Sequence, residues 1–236
     1  LKDTLRQLSA ADFLEGQMLL INKPLTWTSF DAVKKIRFII LKKFGLKKIK
    51  VGHAGTLDPL ATGLLVICTG KFTKKIAELT LTEKMYTGTF LLGSTTPSYD
   101  LETAVENEKP TGHITPAMVE SVVNGMRGTH LQMPPQFSAK QVDGKRAYDS
   151  ARQGKTVVLE PKEIHISHFE ADTSHLPEVR FKITCSKGTY IRSMAHDLGE
   201  MLGCGAHLTS LIRKAVGAYQ LEDAISPEVF QEVMTA

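Results

Sequence analysis

Val51-Gly52-His53-Ala54-Gly55-Thr56-Leu57-Asp58-Pro59-Leu60-Ala61-Thr62-Gly63 sets three glycines, one histidine and one carboxylate between a lysine-rich segment and the apolar run Leu64 to Cys68. The ring of Pro59 disfavours helical geometry at the residue before it, so Asp58 is expected to be extended, on a loop. Gly52 and Gly55 permit backbone angles that other residues avoid and leave room for a ligand near the main chain. Leu64-Leu65-Val66-Ile67-Cys68 reads as a buried strand. Two readings of Asp58 follow. It is a reactive group on a rigid support, or it is a turn residue that caps its own backbone.

Upstream, residues 1–15 form a polar, partly helical leader, and Gln17 to Asn22 a short apolar strand ended by Lys23-Pro24. Thr28 and Ser29 can cap a helix whose first turn carries Asp31. Phe30, Val33, Ile36, Ile39 and Ile40 lie at helical spacing, with Gly45 as the stop. Downstream, Phe72 to Leu81 is expected to be helical and Met85 to Leu92 a strand, with Tyr86, Gly88, Phe90 and Leu92 on one face. Gly93 to Asp100 is a loop. Thr115-Pro116 opens a further helix, with proline at its first position and Gly128 beyond its end.

Gly128 to Lys155 changes character, with Pro134-Pro135, Asp143-Gly144 and few aliphatic residues. Phe137 and Tyr148 stand among Lys140, Lys145, Arg146, Arg152 and Lys155, a mixture that suits bases on aromatic rings and phosphates on cations. Val179, Phe181, Ile183 and Cys185 alternate with polar residues as a half-buried strand. Thr189 is the expected cap of the next helix, with Ile191, Met194, Ala195 and Leu198 on its apolar face and Gly203 at its end. Arg192 falls in the first turn, where a cation opposes the helix dipole, so a nearby carboxylate or phosphate is expected to offset it. Strands and helices interleave without a βαβ rhythm, which predicts a mixed α+β fold with a largely antiparallel sheet.

At 236 residues, 42% apolar and 23% charged, the chain has the composition of an ordinary globular protein. No apolar run approaches a membrane span, and the N-terminus lacks the apolar region of a signal peptide. Cys68, Cys185 and Cys204 are scattered and odd in number, which reads as reduced thiols and a cytoplasmic location. The net charge of +4 hints at a nucleic-acid partner. Lys42, Lys43, Lys47, Lys48 and Lys50 crowd the approach to the glycine loop. There is no phosphate-binding P-loop and no dinucleotide fingerprint. His165, His168 and His175 lack partners at metal-ligand spacing.

Five stretches in order resemble the TruB-type tRNA pseudouridine synthases of bacteria. They are Leu20-Ile21-Asn22-Lys23-Pro24, Gly52 to Gly63, Lys84-Met85-Tyr86, Cys185 to Arg192 and Gly203 to Leu208. The resemblance runs from about Gln17 to Tyr219. It implies a single α+β catalytic domain over 1–236, built on a long, mixed, mostly antiparallel sheet flanked by helices. An RNA-binding insertion at about 128–155 is implied too. The chain's end at Ala236 leaves no room for the C-terminal PUA domain of many members, so weaker whole-tRNA affinity is expected.

The implied activity is isomerisation of the T-loop uridine, position 55 of tRNA, to pseudouridine. By the same resemblance Asp58 is the catalytic aspartate, and His53, Tyr86, Tyr190 and Leu211 contact or line the nucleotide pocket. Arg192 pairs with Asp58, while Lys23 and Asp100 support the site. No cofactor, metal or guide RNA is implied. The partner is the tRNA T stem-loop, and the protein is expected to act as a monomer.

The chemistry suits these residue types. A glycosidic C–N bond breaks, the base turns and a C–C bond forms, so nothing is oxidised and no group is imported. The buried base must be flipped out, at a few kcal/mol of lost stacking. Tyr86 can replace that stacking, at about 1–3 kcal/mol per base. Arg192 would favour the ionised Asp58, and its planar guanidinium can meet both carboxylate oxygens. Attack on the ribose C1′, attack on the base at C6 and abstraction of a ribose proton all remain open, and Tyr86 is a candidate for removing the C5 proton. Two features depart from the family pattern. The loop Thr95 to Asp100 keeps only Asp100 of an acidic motif, and Ile212 stands where an arginine often precedes Arg213.

Overall fold

A computed structural model describes residues 2–138, 141–142 and 145–235. Lys140, Asp143 and Gly144 lie outside them, and Lys145 and Arg146 are described by backbone alone. Among the described residues the strands pair mostly antiparallel, nine of them in one mixed sheet. The chain divides into two compact units, residues 1–86 with 211–236, and residues 87–210.

The first unit opens with helices α1 (Lys2–Gln7) and α2 (Ala10–Glu15). The expected leader is therefore helical, and it is also structural: Leu5 and Phe13 are buried in the core. Strand β1 (Met18–Lys23) leads to helix α3 (Ser29–Phe44). Thr28 caps α3 reciprocally with Asp31, each side chain bonding the other's backbone N–H at 3.0 Å. The helix ends at Gly45 in left-handed geometry. Its buried stripe is Ser29, Val33, Ile36 and Ile40, whereas Phe30 is 61% exposed. Ser29 takes the inward position because its hydroxyl binds Leu57, and Phe30, about 100° further round, is turned to solvent.

Strand β2 (Val51–His53) and strand β3 (Ala61–Thr69) pair antiparallel, with the loop bearing Asp58 between them. Strand β3 is buried on both faces. Leu65 and Ile67 join the core under α3, while Leu64, Val66 and Cys68 pack with Ala54, Leu79 and Val216. Two covered faces explain the unbroken apolar run, since a half-exposed strand would alternate. Residues 70–75 form a 3₁₀ turn before helix α4 (Ile76–Leu81), so the expected helix is present with a tighter first part.

Strand β4 (Lys84–Leu92) carries the chain into the second unit. There, helix α5 (Pro116–Gly125) starts at the N-cap Thr115 with proline in its first turn. Strand β5 (Gly128–Gln132) pairs with strand β8 (Lys162–His175), so the first five residues of the expected insertion belong to the sheet. Between them lie the two-residue strands β6 (Gln141–Val142) and β7 (Lys145–Arg146) and helix α6 (Ala147–Ala151). Strand β9 (Glu178–Cys185) pairs with β8 and buries Val179, Phe181, Ile183 and Cys185 as expected. Phe90 stacks on Phe181 at 4.1 Å and meets Phe169 edge-on at 6.5 Å, forming the centre of this unit's core.

Helix α7 (Ile191–Leu202) follows and ends at Gly203. Strand β10 (Ala206–Val216) returns the chain to the first unit. There it runs parallel to β3, with Leu211 opposite Ala61 and Arg213 opposite Gly63. Strand β11 (Tyr219–Gln220) and helix α8 (Pro227–Thr235) complete the chain, and α8 adds Phe230, Val233 and Met234 to the core under α3.

Candidate active site

Residues 54–60 lie outside strand and helix, so the loop's shape depends on its anchors. The Ser29 hydroxyl holds Leu57 on both sides, accepting from its N–H at 2.8 Å and donating to its carbonyl at 3.0 Å. The Ala61 N–H donates to the Asp58 carbonyl at 3.1 Å, and the Thr26 N–H to the Pro59 carbonyl at 2.8 Å. Lys23, fully buried, donates to the carbonyls of Trp27 at 2.5 Å, Pro24 at 3.0 Å and Pro59 at 3.5 Å. Gly55 has φ +96°, a left-handed geometry that a side chain would strain. The Asp58 carboxylate is thus carried on a backbone held at nearly every residue, which is what a preorganised reactive group requires.

Arg213 escaped the sequence analysis as a site residue. Among the described residues it is the largest fully buried side chain, only 1% exposed. Its guanidinium donates to Leu64 (Nε, 2.7 Å), Gly55 (Nη2, 3.0 Å) and Thr56 (Nη1, 3.4 Å), all through backbone carbonyls. Lys23, Gly63 and Arg213 face one another in register across β1, β3 and β10. The available signal was a basic residue at alternate spacing between the apolar Leu211 and Ala215.

The two buried cations shape the local electrostatics. Burial pushes the Lys23 ammonium down to about 8, Asp58 pulls it up, and Arg213 lowers it further. His53 is also pushed down, first by burial and then by Arg213, with an interaction at the Gly55 backbone opposing them. A depressed histidine is neutral at pH 7. Its Nδ1 is buried and finds no hydrogen-bond partner among the described residues. Tyr86 is half-buried on β4, and Leu211 lies opposite Ala61.

Lys23 gives a prediction about stability. Its folded pKa lies below its unfolded value of 10.5, so between pH 8 and 10.5 the unfolded chain binds more protons than the folded one. Stability from this group therefore rises with pH across that window. The expected rise is on the order of 3 kcal/mol, at 1.36 kcal/mol per pKa unit. Urea denaturation of wild type and Lys23→Met at pH 7.5 and 10 checks it. The wild-type midpoint should gain on the variant as pH rises, and parallel curves would refute the buried-charge account.

The second unit holds Asp100, Tyr190 and Arg192. Arg192 is 4% exposed, so it does not reach into water. Its Nε lies 3.7 Å from the Asp100 carboxylate, Nη1 donates to Ser98 at 3.0 Å and Nη2 to Phe137 at 2.8 Å. Asp100 supplies the carboxylate expected to offset a cation at a helix start. It is itself bound by the Ser98 hydroxyl at 2.6 Å and the Glu102 N–H at 3.0 Å. Tyr99, immediately before it, adopts φ +64° and stacks on His196 at 4.2 Å. A non-glycine residue in that geometry costs about 1–3 kcal/mol, held here by the surrounding contacts.

The cap of α7 is Tyr190, one residue later than expected, and no side chain caps it in the usual way. Thr189 is instead engaged in the preceding turn, donating to the Ser186 carbonyl at 2.9 Å. The side-chain amide of Gln132 serves Tyr190, accepting from its N–H at 2.8 Å and donating to its carbonyl at 3.0 Å. A buried glutamine on a distant strand gave no signal in sequence.

The insertion residues also carry order. The Tyr148 hydroxyl donates to Glu102 at 2.5 Å, and Arg152 reaches the same oxygen at 3.0 Å while lying over the Tyr148 ring. Lys42, Lys43, Lys47, Lys48 and Lys50 are all exposed, in the first unit. Among the described residues no cluster could hold a metal ion, and no helix is long and apolar enough to cross a membrane.

Comparison with known proteins gives a consistent answer. Residues 42–191 match the N-terminal domain of the TruB family of pseudouridylate synthases, and residues 192–236 match the C-terminal domain of tRNA pseudouridylate synthase B. The tRNA pseudouridine synthase B of Flavobacterium johnsoniae is 52% identical over 222 residues, covering 94% of this chain and 97% of the relative. That of Phocaeicola vulgatus is 54% identical over 221 residues, covering 94% of each. Among solved structures, a chain of a Cbf5–Nop10–Gar1 complex superposes with a TM-score of 0.70 at 23% identity, over 97% of this chain and 62% of that one. At that identity the likeness concerns the fold.

Proposed function

Because the chain belongs to the TruB family of pseudouridylate synthases, and is an isomerase converting uridine in tRNA to pseudouridine, we propose the finer assignment that its target is the T-loop uridine at position 55. Asp58 is the catalytic carboxylate and Arg192 its guanidinium partner. Tyr86 stacks on the flipped base, Tyr190 and Leu211 line its pocket, and His53 contacts the nucleotide. Lys23 and Asp100 support the site, and residues 1–236 act as one catalytic domain. The enzyme works in the cytoplasm as a monomer on the T stem-loop, without guide RNA or cofactor.

The supporting observation is the loop itself: a carboxylate on a backbone anchored through Leu57, the Asp58 carbonyl and Pro59, with two buried cations beneath it. The reaction needs little else. The N1–C1′ bond breaks, the C5–C1′ bond forms, and the proton lost from C5 is balanced by one gained at N1. A half-buried, neutral imidazole at His53 has one ring N–H donor and one ring-nitrogen acceptor, which suits a hydrogen bond to a flipped nucleotide. The exposed lysines 42–50 supply the phosphate contacts that make such binding salt-dependent.

The test is pseudouridine mapping on a T-arm stem-loop transcript incubated with the protein alone. Conversion of the single T-loop uridine is expected. If wild type binds the transcript but converts nothing, the guide-free reading is wrong.

A further inference from the structure

We propose that Arg213 is a positioning residue for the isomerisation. Its guanidinium joins the two ends of the Asp58 loop and so sets where the carboxylate stands. This rests on the reading that Asp58 reacts.

Three observations carry it. First, the contacts converge. Nη2 and Nη1 take the carbonyls of Gly55 and Thr56, which precede Asp58 by three and two residues, while Nε takes Leu64, six residues after it. One rigid planar group therefore spans the loop's entrance and exit. Second, the group is withdrawn from water at 1% exposure, and all three acceptors are backbone carbonyls. A side chain needed only for volume could be apolar, whereas a buried cation requires its hydrogen bonds to be made. Third, its own placement is fixed. Arg213 lies opposite Gly63 on β3, and a Cβ on that glycine would stand 2.4 Å from the Arg213 carbonyl oxygen. The strand bearing the clamp is seated at the end of the loop that it clamps.

The division of labour with Lys23 and Ser29 is also clear. Lys23 reaches Pro59, after Asp58, and Ser29 holds Leu57, before it. Neither joins the two ends. Lysine could not substitute at 213, because an ammonium lacks the fixed fork that meets three separated carbonyls at once. The loop would remain present but displaced, and displacement of a reacting group by about 1 Å costs on the order of a hundredfold in rate.

The experiment measures single-turnover conversion of the T-arm stem-loop, its binding affinity and the folded fraction for wild type, Arg213→Lys, Arg213→Gln and Asp58→Asn. The expected result is that Arg213→Lys folds and binds within about threefold of wild type, yet converts about a hundredfold more slowly per folded molecule. Arg213→Gln should be at least as slow. A purely structural role would lower the folded fraction and leave the rate per folded molecule unchanged. The proposal is overturned if Arg213→Lys converts within threefold of wild type, or if neither Arg213 variant folds, since the residue would then serve the fold alone. Asp58→Asn separates the two claims. Full activity in that variant overturns the reading of Asp58, whereas a dead Asp58→Asn beside an unimpaired Arg213→Lys overturns only the role of Arg213.

Discussion

Asp58→Asn is expected to lower pseudouridine formation by at least about a thousandfold while leaving RNA binding and thermal stability near wild type. Asparagine keeps the size of the side chain and removes its capacity to be an anion, and a neutral amide is a poor nucleophile and a poor base. The fold should tolerate the change because the anchors described for this loop act on its backbone. Ser29 holds Leu57, Arg213 holds Gly55 and Thr56, and the Asp58 carbonyl itself receives the Ala61 N–H. The measurement is single-turnover conversion of the stem-loop alongside a binding titration. Turnover within tenfold of wild type would remove Asp58 from the chemistry. Loss of binding together with turnover would make it a substrate contact instead.

The largest effect on stability is expected from Gly63→Ala. The glycine has φ +102°, where an alanine is strained by about 1–3 kcal/mol. Its new Cβ would also stand 2.4 Å and 2.7 Å from the Arg213 carbonyl oxygen and amide nitrogen. Those are backbone atoms of a paired strand and cannot step aside, so overpacking adds roughly another 1–3 kcal/mol. Urea denaturation should show a loss of about 3 kcal/mol or more, with conversion falling in parallel because β3 carries the end of the loop. Gly125→Ala is the matched control. It ends α5 with nothing within 4 Å of the added carbon, and its stability should stay within about 1 kcal/mol of wild type. Equal losses at the two positions would contradict this account.

Much of this was legible in the amino-acid sequence, and the legible parts share a cause. Thr28 with Asp31, Thr115 with Pro116, and Gly45 and Gly203 act locally, within a turn of helix, so a short window carries the signal. The alternation of β9 and the continuous run of β3 each report how many faces are covered. What escaped depends on partners far away in the chain. Phe30 fits the helical period but yields the inward position to Ser29, whose partner is 28 residues on. Thr189 looks like a cap, yet Gln132, 58 residues earlier, does that work for Tyr190. Arg213 drew notice only for the Ile212 before it, because its acceptors lie about 150 residues upstream. The family resemblance found Asp58 through a long motif. The clamp beneath it was not marked by the residues nearest to it.

The register of Arg213 opposite Gly63 bears on folding fidelity. A slip of one residue between neighbouring strands turns every side chain to the opposite face. For β10 against β3, such a slip would strip Arg213 of the carbonyls that accept from it and leave a bare cation in the interior. An uncompensated buried charge costs several kcal/mol, a large share of a domain's whole stability. Misregistered chains are thereby expelled from the folded population by the same charge that joins the two ends of the loop. A molecule that stays folded has, in the same step, passed inspection as one whose loop is assembled.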